Sequence, residues 1–153
     1  MSERVSIASL DSFQSYARDL VARLKPHKSG ATLVTLSGDL GAGKTTFTQA
    51  LARELGIETT VASPTFVIEK VYQLKGQKWQ RLIHIDAYRL RFAKELVVLG
   101  WEQLLADKDD LIVLEWPEKV PELIPENAVK VRIDIEGDGR IITIDGSEEK
   151  GDS

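Results

Sequence analysis

The sequence predicts an α/β fold in which helices flank a mixed β-sheet. Three observations indicate this architecture. Short apolar, β-favouring runs at 31–36 and 111–114 alternate with segments whose apolar residues recur at helical spacing. A glycine-rich loop follows the first of these strands and leads into a helix. Near the end of the chain, two alternating segments surround the Gly-Asp-Gly of 137–139, which is typical of a β-hairpin.

The opening elements are predicted to be a helix, a buried strand and a second helix. Ser9 is a suitable N-cap, because the apolar residues after it follow helical spacing: Leu10, Phe13, Ala17, Leu20, Val21 and Leu24. Pro26 and Gly30 end this helix. The run 31–36 then predicts a buried strand. After the glycine loop, a helix over about 45–55 is expected to close at Gly56.

The middle and end of the chain complete the predicted sheet. Segments 66–74 and 79–85 favour strands, and the polar residues between them indicate a hairpin. Residues 95–106 favour a helix that is interrupted at Gly100, and the wholly apolar run 111–114 favours a strand. Residues 129–135 and 140–144 are predicted to form the terminal hairpin. The pattern does not specify the order of the strands in the sheet.

Length and composition favour one globular domain. A chain of 153 residues has the size of a single domain. Its hydrophobic fraction of 42% is typical of globular rather than disordered proteins. We expect this domain to span 1–145, and the small and charged tail 146–153 to be disordered.

Several classes of protein are disfavoured by composition. The absence of cysteine excludes disulfides and thiolate metal sites. No apolar run reaches the roughly 20 residues of a membrane span, and the N-terminus lacks a secretory apolar region, so we expect a cytoplasmic protein without a membrane partner. A net charge of −4 argues against a protein that mainly grips a nucleic-acid backbone. Arg89, Arg91 and Lys94 could form a local basic patch, but a solvated helix start explains them more simply.

Residues 38–45, Gly-Asp-Leu-Gly-Ala-Gly-Lys-Thr, match the phosphate-binding pattern G-x-x-x-x-G-K-[ST] at every fixed position. Glycines allow such a loop to turn tightly and to aim several backbone N–H groups at an anion. The following helix adds its free N–H groups and the positive end of its dipole. Lys44 supplies a positive charge for the β- and γ-phosphates, and Thr45 offers a hydroxyl to Mg²⁺. The motif therefore predicts a P-loop nucleoside-triphosphatase-like fold that binds a nucleotide.

The predicted nucleotide site extends beyond the glycines. It comprises Asp39, Leu40, Gly41, Ala42, Gly43, Lys44, Thr45, Thr46 and Thr65. Thr65 follows a Ser-Pro pair and could sense the γ-phosphate through Mg²⁺, although the same residues also suit a plain turn. Asp39 would repel phosphates if it faced inward, so we expect it to face outward, either solvated or reaching a water or a partner. The chain has no Asn-Lys-x-Asp guanine-reading motif, which leaves ATP as the expected nucleotide.

Two acidic residues compete for the remaining Mg²⁺ ligand. Glu115 follows the apolar run 111–114, and Asp86 ends a second largely apolar run, 82–85. A carboxylate at the end of a buried strand is costly unless a cation lies nearby. One of the two could hold Mg²⁺ while the other orients the attacking water. His84 lies on the same predicted strand face as Asp86, and a lone histidine is more often structural than catalytic.

Four motifs together resemble the TsaE family, also called YjeE. They are GDLGAGKTTF at 38–47, SPTF at 63–66, HIDAYRL at 84–90 and LIVLEWPEK at 111–119. The resemblance implies a single P-loop ATPase domain in the cytoplasm, with ATP and Mg²⁺ as cofactors. It implies that Lys44 contacts phosphates and that Thr45 and Glu115 hold Mg²⁺. It further implies that Asp86 is the acid needed for hydrolysis and that Thr65 belongs to a switch loop.

The resemblance also implies a cellular role. Members of the family are bacterial ATPases of tRNA threonylcarbamoyladenosine synthesis. They act with two partner proteins, TsaB and TsaD, which attach the threonylcarbamoyl group to an adenosine next to the anticodon. ATP binding and slow hydrolysis sustain turnover of that complex, so this chain would meet tRNA only indirectly. The residues alone leave two alternatives, a nucleotide-gated binding module with incidental hydrolysis and a small-molecule P-loop kinase.

Overall fold

A computed structural model of the chain describes residues 2–58 and 69–146, and its strands form one mixed sheet. The strands are β1 (Ser2–Ile7), β2 (Thr32–Ser37), β3 (Glu69–Gln73), β4 (Arg81–Asp86), β5 (Asp110–Glu115), β6 (Val129–Glu136) and β7 (Gly139–Asp145). The helices are α1 (Leu10–Arg23), α2 (Lys44–Glu54), α3 (Ala93–Val98) and α4 (Trp101–Leu105). Two single-turn 3-10 helices, Pro117–Lys119 and Pro121–Leu123, follow β5.

The sheet has the strand order β1-β7-β6-β2-β5-β4-β3. The four central strands are parallel, since β2 runs parallel to both β6 and β5, and β5 runs parallel to β4. Antiparallel strands flank them, with β7 and β1 on one side and β3 on the other. The carboxyl ends of parallel strands meet at one edge of a sheet, which is where open α/β sheets bind ligands. Here that edge carries the ends of β2, β4 and β5.

Helices cover both faces of the sheet. On one face, α1 and α2 pack against alternate strand residues in a large apolar cluster, and the Phe47 ring lies 6.2 Å from Phe13 and 6.3 Å from Tyr16 between centroids. On the other face, α3 and α4 contribute Leu96 and Trp101 to a second cluster. The first cluster fixes α2 against the sheet, so that its N-terminus stays at the carboxyl edge.

The predicted helices and strands are largely confirmed. Ser9 caps α1, because its hydroxyl oxygen accepts a hydrogen bond from the Ser12 backbone N–H at 3.2 Å. Gly100 separates α3 from α4, as expected, with a positive φ of 99°. The strand predicted over 66–74 is present as β3, although 66–68 lie outside the described residues. Apart from Gly146, the tail predicted to be disordered, 146–153, also lies outside them.

One strand was absent from the sequence prediction. The chain opens with β1, which pairs antiparallel with β7 from Ser2↔Asp145 to Ile7↔Arg140. Its sequence carries only a brief alternation, with Val5 and Ile7 as the apolar residues. The strand therefore depends on hydrogen bonds to a partner more than a hundred residues away, which no local pattern reveals. Among residues 2–58 and 69–146, no helix has the length and apolar character needed to cross a bilayer.

Candidate functional site

The glycine loop 38–43 connects β2 to α2 at the carboxyl edge of the sheet. Three of its glycines have positive φ, with 141° at Gly38, 82° at Gly41 and 113° at Gly43. Gly43 is the N-cap of α2 and provides no side-chain cap. The N–H groups in the first turn of α2 have no partner within the helix. Such a helix start next to a glycine loop is suited to bind an anion.

Lys44 is the most constrained residue of this site. The residue is only 6% exposed, and its Nζ donates hydrogen bonds to the carbonyl oxygens of Gly38 at 2.5 Å and Asp39 at 3.0 Å. The same Nζ lies 4.1 Å from the ring centroid of Trp116, within cation–π range. Burial lowers the pKa of Lys44, and nearby carboxylates, Glu115 foremost, oppose that shift. The ammonium group is thus held beside the loop by carbonyl oxygens and a ring face.

Trp116 has a strained backbone. With a φ of 65°, it is the one non-glycine residue of positive φ in the described part of the chain. Its N–H donates to the Leu36 carbonyl at 3.0 Å, and its ring lies 4.9 Å from that of Tyr88. Strained residues of this kind cluster at ligand sites. The sequence did not reveal this role of Trp116, because neither its φ nor its contact with Lys44 is encoded locally.

Glu115 ends β5 and is almost fully buried, with 2% exposure. Its Oε2 lies 2.7 Å from Nε2 of His84, which is itself inaccessible to solvent. Thr48 Oγ1 is 3.4 Å from the same oxygen, but it has a shorter contact, 3.0 Å, with the carbonyl of Lys44. A single hydroxyl hydrogen favours the shorter contact. His84 is therefore the principal hydrogen-bond partner of Glu115 among the described residues.

The geometry also assigns the proton of His84. Its Nδ1 is buried and has no hydrogen-bond partner in the described part of the chain. An ionised carboxylate only accepts hydrogen bonds, so the 2.7 Å contact with Glu115 favours the tautomer with the proton on Nε2. His84 thereby donates to Glu115. The sequence did not reveal this contact, although both residues end or nearly end adjacent apolar strands.

Asp86 and Glu115 lie side by side. They are register partners on the parallel strands β4 and β5, so both side chains point to the sheet face covered by α2. One carboxylate oxygen of Asp86, Oδ1, accepts the backbone N–H of Tyr88 at 3.0 Å. The two acids that compete in the sequence for the Mg²⁺ ligand thus occupy neighbouring positions at the carboxyl edge.

The other predicted site residues fall at or near the loop. Thr45 and Thr46 form the first turn of α2, and Ala42 is buried. Asp39 and Leu40 are exposed, which agrees with the expected outward orientation of Asp39. Thr65 lies outside the described residues.

Comparison with known proteins identifies the family. The family model for "Threonylcarbamoyl adenosine biosynthesis protein TsaE" matches residues 7–142. A Streptomyces coelicolor protein named "tRNA threonylcarbamoyladenosine biosynthesis protein TsaE" is 42% identical over 118 residues, 76% of this chain and 78% of the relative. A Haemophilus influenzae protein of the same name is 36% identical over 121 residues, 79% of this chain and 74% of the relative.

A solved structure supports the same conclusion. The crystal structure of YdiB from Bacillus subtilis superposes with a TM-score of 0.72 at 28% sequence identity, covering 94% of this chain and 84% of YdiB. The motifs that resemble the TsaE family lie in the matched span 7–142, and the three of them that the structure describes meet at the carboxyl edge of the sheet. The chain belongs to the TsaE family.

Proposed function

We propose that the chain binds ATP and Mg²⁺ at the glycine loop and hydrolyses the ATP slowly in tRNA threonylcarbamoyladenosine biosynthesis. The observation that carries this proposal is the convergence of Lys44, the start of α2 and the two strand-end carboxylates at one sheet edge. Family membership supports the biosynthetic role. Beyond this role, we propose that the chain hydrolyses ATP and acts with the partners TsaB and TsaD. It would meet tRNA only through the complex with these proteins.

The loop would bind phosphates by backbone amides and one ammonium group. Lys44 Nζ already lies beside the loop, where its bonds to two carbonyl oxygens can be exchanged for charge-assisted bonds to phosphate. In this proposal the backbone from Asp39 to Thr46 would line the phosphate position. Lys44 would thus contribute both to binding and to stabilising the charge that develops on the γ-phosphate.

The donor atoms present fit Mg²⁺. Magnesium in nucleotide sites takes oxygen ligands, with one or two carboxylates completed by substrate phosphates. Thr45 offers a hydroxyl at the start of α2, and Glu115 offers a buried carboxylate whose hydrogen-bond partner is His84. These two residues would hold the ion. Mg²⁺ bound there supplies positive charge that neutralises the phosphates.

Asp86 is the proposed acid for orienting the attacking water. Its bond from the Tyr88 N–H fixes the carboxylate next to Glu115. A positioned base of this kind contributes roughly 10²- to 10⁴-fold to a rate. Glu115, whose carboxylate is hydrogen-bonded to His84, suits the Mg²⁺-binding role better than the water-orienting role. Asp39 is exposed, so it is a poorer candidate for both roles.

Replacement of Asp86 by asparagine separates hydrolysis from binding. Asp86→Asn should lower phosphate release at least ~100-fold, because the amide is a poor proton acceptor. It should leave the Kd for ADP within about threefold of wild type, because the loop contacts persist. Phosphate release and calorimetric titration measure the two effects. Unchanged hydrolysis would remove Asp86 from the proposed mechanism.

The same variant tests the proposed ATPase against a nucleotide-gated binding module. If hydrolysis is incidental, Asp86→Asn with TsaB and TsaD should bind the partners and still support tRNA modification. If hydrolysis sustains turnover, modification should stop after the first cycles. A small-molecule kinase would instead transfer phosphate to nucleosides or sugars, whereas purely hydrolytic release excludes that alternative.

Tryptophan fluorescence should report binding at this loop. The chain has three tryptophans, and Trp79 and Trp101 are each 1% exposed, whereas Trp116 lies against Lys44 at the candidate site. Addition of Mg-ADP should therefore change the emission through Trp116. Trp116→Phe should abolish the change while calorimetry still detects binding. A change that persists in Trp116→Phe would place the nucleotide elsewhere.

A further inference from the structure

The terminal hairpin contacts the glycine loop through Arg140. This residue lies near the start of β7, and its Nε donates to the carbonyl of Ala42 at 2.9 Å. Its Nη2 reaches the carbonyl of Gly41 at 3.3 Å, and its Nη1 donates to the carbonyl of Gly139 at 2.9 Å. One guanidinium group thus links two loop peptides to the hairpin.

Pairing of β7 with β1 and β6 holds the backbone of Arg140 in place. Arg140 is in register with Ile7 of β1 on one side and with Ile135 of β6 on the other. Directly before it, a Cβ placed on Gly139 would come within 2.9 Å of the Ile7 carbonyl oxygen, so the β1 and β7 backbones are closely apposed. The arginine therefore projects from a backbone that is paired on both sides.

Because a peptide unit is planar, a contact that fixes a loop carbonyl also fixes the direction of the next residue's N–H. The described peptide bonds are trans, so the N–H of each residue points opposite to the preceding carbonyl. A guanidinium that holds the Ala42 carbonyl outward directs the Gly43 N–H to the opposite side of the loop. The Gly41 carbonyl is held likewise, and the Ala42 N–H closes a turn onto the Asp39 carbonyl at 3.0 Å.

The contacts of Arg140 restrain the backbone of the flexible loop glycines. Gly41 and Gly43 adopt φ values of 82° and 113°, and glycine visits many other backbone conformations at little cost. Hydrogen bonds from a charged donor are stronger than those between neutral groups. They also polarise the peptide, which strengthens the N–H on its far side as a donor.

We infer that Arg140 is a positioning residue that holds the 41–43 peptides so that the Gly43 N–H faces a bound phosphate. The inference rests on the proposed nucleotide function. Arg140 itself contacts the outer, carbonyl side of the loop, so its effect on phosphate is exerted through the loop backbone.

Titration of ADP with Mg²⁺ into variants of Arg140 tests this inference. Arg140→Ala should raise the Kd for ADP about tenfold, because the released loop must be ordered when the nucleotide binds. Arg140→Lys keeps the charge but not the planar set of donors, so it should give an intermediate, roughly threefold increase. The matched control is Arg132→Ala on β6, whose guanidinium pairs with Asp134 at 3.0 Å and is half exposed. Its Kd should stay within about twofold of wild type.

Measuring the Kd and the folded state separately distinguishes a positioning role of Arg140 from a role in stability. Titrations are made on protein shown to be folded by circular dichroism, and a role in stability alone would lower the Tm without changing the Kd. If Arg140→Ala does not fold, Arg140→Lys decides. Wild-type affinity in both folded Arg140 variants overturns the inference and leaves the proposed function intact. Failure of wild-type protein to bind ADP overturns both.

Discussion

Replacement of Lys44 by alanine is expected to weaken Mg-ATP and Mg-ADP binding roughly 100-fold and to stop hydrolysis, while the protein stays folded. The variant removes the one ammonium group that lies within the glycine loop, where it bonds the carbonyls of Gly38 and Asp39. Two charge-assisted bonds to phosphate contribute about 3 kcal/mol, which corresponds to that loss of affinity. Calorimetric titration and phosphate release measure the two effects.

A lysine close to the site but outside the loop serves as the control. Lys119 is exposed, and its Nζ lies 5.6 Å from the Tyr88 ring centroid. Lys119→Ala removes a charge of the same sign from the same region, so it should change the Kd by less than about threefold. Equal losses in both variants would show that general electrostatic attraction, rather than the loop contact of Lys44, carries the binding.

Replacement of Gly38 by alanine is expected to lower the free energy of unfolding by about 4 kcal/mol. Gly38 has a φ of 141°, and a Cβ there would lie 2.2 Å from the Ile133 carbonyl oxygen. Because that oxygen belongs to the backbone of β6, neither atom can move without disturbing the sheet. The expected loss is a large part of the 5–15 kcal/mol that stabilises a typical domain.

Gly41→Ala provides the matched comparison within the same loop. Gly41 also has a positive φ, 82°, but a Cβ there would meet no atom within 4 Å. Backbone strain alone should cost about 1 kcal/mol. Urea denaturation of both variants measures the difference. Similar free energies of unfolding in the two variants would contradict the close approach of the loop to β6.

Local signals explain why most of the fold was predictable. Helical spacing after Ser9, the glycine at 100 and the alternation around 137–139 each depend on neighbouring residues, and the structure confirms α1, the α3–α4 break and the β6–β7 hairpin. The strand β1 was missed because its stability comes from pairing with β7. Strand order likewise depends on packing between distant segments, which periodicity does not encode.

The candidate site also has one part that local sequence predicts and another part that depends on contacts between distant residues. The glycine pattern predicts the anion-binding loop, because the eight residues that form this loop are consecutive in the sequence. The contacts of His84 with Glu115 and of Arg140 with the loop link positions 31 and 98 residues apart. A lone histidine or arginine carries no local signature of such a contact. These residues become candidates only when the sheet brings them together.

The most direct test of the account is calorimetric titration of the wild-type protein with Mg-ADP, alone and with TsaB and TsaD. Backbone amides and Lys44 at the start of α2 should bind one nucleotide per chain. The Tm should rise with nucleotide concentration as expected for a ligand that binds only the folded state. Absence of both heat and a Tm shift, with and without those proteins, would contradict the proposed phosphate site and everything inferred from it.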